Sequence, residues 1–106
     1  MTKVSRKPLS RAELRAIQKD FWEVVADLKS TKEVKKFLFD ILTHTERKML
    51  AKRLQVARML LEKQSYLVIR RALKVTDVTI AKINNWLNTQ GDGYRLAVGL
   101  MKNRRR

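Results

Sequence analysis

The sequence predicts an all-α fold, and three observations carry that expectation. The 106 residues include only three Gly and one Pro, so little interrupts helix propagation. Leu, Lys, Arg, Ala and Glu together make up about half of the chain, all of them good helix formers. Apolar residues recur at three- and four-residue spacing instead of alternating. An apolar content of 44% in a chain of this length is enough to build one domain core.

The helical elements follow in order, about six of them. Residues 1–9 read as a loose basic arm ending at Pro8. Ser10 and Glu13 then form a capping-box pattern, and Leu14, Ile17, Phe21, Val24 or Val25, and Leu28 trace one amphipathic stripe to about Lys29. Ser30 and Glu33 form a second box ahead of Val34, Phe37, Leu38, Ile41 and Leu42, with Phe39 widening the apolar face. Thr43 and Glu46 form a third, opening a helix through Met49, Leu50, Leu54, Ala57, Leu60 and Leu61 to about Lys63. A short helix is expected from Ser65 to Leu73, a break at Lys74-Val75-Thr76, and a further helix from Asp77 to about Leu87 capped by Thr76. Asn88 to Gly93 reads as a turn, and a last helix from Tyr94 to Met101 groups Tyr94, Ala97, Leu100 and Met101. The domain plan is thus a basic arm (1–9), one helical domain (10–101) and a basic tail (102–106).

Two short helices joined by about three residues have the proportions of a helix-turn-helix, here at 65–87. Ile69, Leu73, Val75, Ile80 and Ile83 are spaced to lock the pair together, which leaves Asp77, Val78, Thr79, Ala81, Lys82 and Asn85 on the outer face of the second helix. That face suits the floor of a DNA major groove: Lys reaches guanine acceptors, Asn pairs with adenine, Val or Ala meets a thymine methyl, and Asp accepts from a cytosine amino group. Tyr66, Arg70, Arg71 and Lys74, on the preceding helix and turn, are placed to contact phosphates and set register. For Tyr66, core packing is an equal alternative. At Lys74 a left-handed residue is expected where helix-turn-helix proteins usually place glycine, at a cost of about 1 kcal/mol.

Charge supports a polyanionic partner. The chain carries a formal +15, and it is unevenly spread. Residues 1–46 hold 10 basic and 7 acidic side chains, whereas residues 47–106 hold 15 and 3. A net +12 over 60 residues is more than a solvated helix face requires. The aromatic residues Phe21, Trp22, Phe37 and Phe39 lie in the less basic half and are expected in the core and a dimer interface; Trp86 is expected to pack inward. Arg53 falls beside the apolar stripe of its helix, where an ion pair with Asp40 or Glu46 is the first expectation and an effector carboxylate the second.

The run from Phe37 through Leu100, with Leu42-Thr43, the Arg53-Leu-Gln-Val-Ala-Arg-Met-Leu-Leu segment, Ser65-Tyr66, Thr79-Ile80, Trp86-Leu87-Asn88 and Gly93-Tyr94-Arg95-Leu96, resembles the Trp repressor superfamily, and its Gly-Tyr-Arg-Leu ending is similar to the YerC/YecD branch. The resemblance implies an intertwined homodimer that offers two recognition helices to successive major grooves. It also implies an effector pocket in which Thr43 and Arg53 match the family pattern. Lys82 and Ile83, however, stand where a second stacking arginine and a glycine would be. Lysine lacks the planar guanidinium and isoleucine fills the space of an indole, so tryptophan is not expected to be the effector.

The resulting expectation is a cytoplasmic, nucleoid-associated, homodimeric regulator that binds double-stranded DNA sequence-specifically and acts as a repressor. The alternative is a sequence-neutral nucleic-acid binder, nucleoid-associated or RNA-binding; more distant is an adaptor that contacts an acidic protein. No catalytic residue, cofactor or metal site is predicted, since the sequence has no phosphate-cradling glycine loop, paired metal ligands or nucleophile with a base at motif spacing. Zero cysteines suit a reducing compartment, and no apolar run approaches membrane-spanning length.

Overall fold

The computed structural model describes residues 7–104, which form six helices and no strand. These are α1 (Arg11–Asp27), α2 (Thr31–Ile41), α3 (His44–Leu61), α4 (Tyr66–Leu73), α5 (Asp77–Thr89) and α6 (Asp92–Arg104). Of the expected arm and tail, residues 1–6, Arg105 and Arg106 lie outside the described residues. Lys102 to Arg104, expected in the tail, continue α6 instead. The span expected as one domain divides into two compact units, one reaching to Ile41 and the other starting at Leu42. The physical reason is where the core sits: α1 and α2 hold no buried residue, and every buried hydrophobic residue belongs to α3, α4, α5 or α6.

Local side chains set most helix starts. Ser10 Oγ accepts from the Glu13 N–H at 3.1 Å while Glu13 Oε1 accepts from the Ser10 N–H at 2.9 Å, a complete capping box. Thr43 and Glu46 repeat it at 3.1 and 2.8 Å. In both boxes the backbone N–H of the cap residue, and then its hydroxyl, hold the glutamate below the usual carboxylate range. The box expected at Ser30 differs in one respect: Ser30 Oγ accepts from Glu33, but Glu33 Oε1 takes the N–H of Lys29, one residue further upstream. Ser65 and Thr76 cap α4 and α5 by accepting from Val68 and Thr79.

In the first unit, Phe21 is the aromatic hub. Its ring lies 5.4 Å edge-on from Trp22 of the same helix and 5.9 Å from Phe37 of α2. Leu14, Ile17 and Trp22 nonetheless stay largely exposed, Trp22 at 62%.

The second unit has the densest packing. Val56, Ala57 and Met59 of α3, Ile69 of α4, and Ile80, Ile83 and Leu87 of α5 form one buried cluster, with Leu73 and Val75 packed against it. Four of these (Val56, Ala57, Ile69 and Ile80) have no exposed surface, so α3 is the post on which α4 and α5 are mounted. On α6 the buried residue is Val98; Leu100, expected to group with Tyr94, Ala97 and Met101, is exposed. Among the described residues, two non-glycine residues adopt left-handed backbone, Lys63 and Lys74. At Lys63 the N–H donates to Leu60 O and that of Gln64 to Met59 O, the Schellman arrangement that ends α3 and turns the chain toward α4.

Candidate nucleic-acid interface

The bent helical pair is formed as expected. α4 ends at Leu73, Lys74 adopts φ 56°, ψ 48° and donates its N–H to Arg70 O, and α5 begins three residues later. Burial of Ile69, Ile80 and Ile83 with partial burial of Leu73 and Val75 locks the two helices, so the outer face of α5 is turned from the core. On that face Asp77, Val78, Lys82 and Asn85 are exposed, Val78 at 64%, while Thr79 and Ala81 are half-buried at its edge.

The far end of α5 is held by a device that sequence reasoning missed. Gly91 sits at φ +78°, and a Cβ there would lie 2.9 Å from Leu87 Cα, so only glycine fits the turn. Arg95 on α6 then reaches back to donate to Leu87 O at 2.7 Å and Gln90 O at 2.8 Å, covering carbonyls at the end of α5. The signal was present in the Gly-Asp-Gly-Tyr-Arg run, but Gly93, which would have no neighbour within 4 Å of a Cβ, is not the constrained glycine.

Around the bend the basic residues divide into two sorts. Arg71 and Lys74 are exposed and make no ion pair among the described residues. Arg70, in contrast, is engaged: its Nη1 lies 2.8 Å from Asp77 Oδ1. Tyr66 is half-buried and packs against the core cluster, the second of the two roles expected for it. Lys52 of α3 adds a cation not foreseen, its Nζ 3.5 Å from Lys74 O. Its position four residues before Val56, at the edge of the buried stripe, was the available sign.

The two effector-pocket candidates are not brought together. Thr43 spends its hydroxyl on the cap of α3. Arg53 is exposed, and Glu46, expected as one of its partners, serves the capping box instead. Arg53 instead lines an open pocket of about 320 Å³ with Thr79, Lys82, Ile83, Trp86 and Tyr94. Trp86, expected to pack inward, is 49% exposed in this pocket because Leu87, one residue on, takes the buried position. No helix among the described residues is long and apolar enough to cross a membrane.

Comparison with known proteins agrees with this architecture. The family model described as Trp repressor protein matches residues 17–102. A protein of Bacillus subtilis (strain 168), "Uncharacterized protein YerC", is 35% identical over 78 residues, spanning 74% of this chain and 75% of its own length. That relative supports placement in the YerC-like branch. With most of its length matched, this chain belongs to the Trp repressor family.

Proposed function

We propose that the protein is a sequence-specific, DNA-binding transcriptional regulator that inserts α5 into the major groove. The carrying observation is the exposed outer face of α5, set off from the core by the bend at Lys74 and bordered by the exposed cations Arg71 and Lys74. Membership in a family of DNA-binding regulators supports the same reading. Within it, Lys82 and Asn85 offer hydrogen bonds to purines, Val78 and Ala81 offer apolar contact to thymine methyls, and Thr79 stands at the groove edge. Arg71, Lys74 and Lys52 supply the phosphate contacts that set register, and Arg70 stands at the same border.

The regulator is proposed to act as a homodimer. Leu14, Ile17 and Trp22 of α1 leave an apolar surface that a second copy would cover. Tryptophan is not the proposed effector: Lys82 and Ile83 line the pocket beside Arg53, and the indole of Trp86 already shares that space.

Competition with unrelated duplex tests the reading. A regulator keeps a preferred site on the order of 10³-fold or more above background. A protein that shows only the salt-steep, sequence-neutral component would contradict it, and so would failure to bind any duplex at low salt.

A further inference from the structure

Asp77 is the one acidic side chain on α4 and α5, and it opens the helix proposed to read DNA. Such a carboxylate repels phosphates. It is not needed as a cap, because Thr76 Oγ1 already accepts from the Thr79 N–H. Its partner is Arg70, seven residues earlier across the bend, with Nη1 to Oδ1 at 2.8 Å and both side chains about half exposed (43% and 58%) at the proposed DNA border. Arg71, beside Arg70, has no such partner among the described residues.

We propose that Asp77 is a positioning residue for specificity that acts through Arg70, holding the guanidinium off the DNA backbone until a matching base frees it. The inference rests on the DNA-reading role of α5. On random duplex, moving Arg70 to a phosphate exchanges one ionic contact for another and leaves Asp77 bare beside the polyanion, so the pair stays closed. At a site that presents a cytosine amino group, the carboxylate gains a new donor and Arg70 is released to a phosphate. The background complex is thereby denied one cation that the matched complex uses.

The test compares wild type, Asp77→Asn, Arg70→Ala/Asp77→Asn and Asp92→Asn as full-length chains, with affinity measured against salt on random duplex and on a duplex selected by the wild type. Asp77→Asn is expected to bind random duplex several-fold tighter, with a salt slope steeper by about 0.9, and to lose discrimination. The double variant should return to wild-type affinity and slope on random duplex, since a self-cancelling pair has been removed whole. Asp92→Asn, which makes the same charge change on α6, should leave the slope where it was. An unchanged slope in Asp77→Asn overturns the proposal, as does a double variant that binds random duplex more weakly than wild type with a shallower slope, which would place Arg70 on phosphate from the outset. Wild type failing on every duplex at low salt would instead overturn the DNA-reading role of α5 and this inference with it.

Discussion

The guanidinium of Arg95 lies 2.7 Å from the carbonyl oxygen of Leu87, so the first turn of α6 caps the last turn of α5. With Gly91 at φ +78° allowing the reversal between them, the helix proposed to read DNA is anchored at both ends, by Thr76 at its start and Arg95 at its finish.

Arg95→Ala should lower the free energy of unfolding by about 1–2 kcal/mol, because two charge-assisted hydrogen bonds to backbone carbonyls are lost together. Arg95→Lys should recover only part, since one ammonium does not reproduce the two-pronged geometry. Urea titrations followed by circular dichroism measure both. A loss below about 0.3 kcal/mol for the alanine variant would show the cap to be without consequence.

Two turn positions should respond with opposite sign. Gly91→Ala forces a Cβ into left-handed backbone and against Leu87 Cα, and should cost about 2 kcal/mol or more. Lys74→Gly removes a left-handed lysine and should stabilise by about 0.5 kcal/mol, while weakening DNA binding through loss of a cation. Thermal melts of the two variants beside wild type decide it, and equal signs would refute the backbone argument.

These contrasts show what the sequence makes legible. Ser10 with Glu13, Thr43 with Glu46, Ser65 and Thr76 were readable as helix starts because a cap joins residues two to three apart. Lys74 was readable because a bend of this length demands a left-handed residue. Arg95 was not, since it acts on a carbonyl eight residues away across a turn whose geometry only the fold reveals. The outward turn of Trp86 was hidden because Trp86 and Leu87 both follow Ile83 at helical spacing, and only one can share its buried side. The division after Ile41 was invisible for a related reason: the apolar stripes of α1 and α2 look the same whether or not they enter a core. Arg70 and Asp77 were each assigned to DNA from their faces alone, and their mutual contact needed coordinates.

Stability should fall on acidification through both capping boxes. Glu13 and Glu46 titrate below their ordinary value of 4.5 in the folded chain. A depressed folded value stabilises above the unfolded value, and that contribution is lost as pH falls from about 4.5 through the folded value. Glu46→Gln should therefore melt below wild type at neutral pH, and the gap should narrow as pH falls from the ordinary carboxylate range through the lowered folded value. A gap that stays constant across this range would remove the charge from the explanation.

Base-reading and backbone-holding residues should separate by sequence dependence. Lys82→Ala is expected to relax preference at one or two base pairs of the selected site, with about 1–3 kcal/mol of discrimination lost there. Arg71→Ala should weaken binding to all duplexes alike and flatten the salt slope by about 0.9. Identical profiles for both variants on selected and random DNA would refute the division.

Whether the outer face of α5 reads base edges is decided by selection of bound duplexes from a random pool. A base-reading dimer should enrich a motif of two symmetry-related half-sites about one helical turn apart. A pool retained by charge alone, with no motif enriched after repeated rounds, would contradict it.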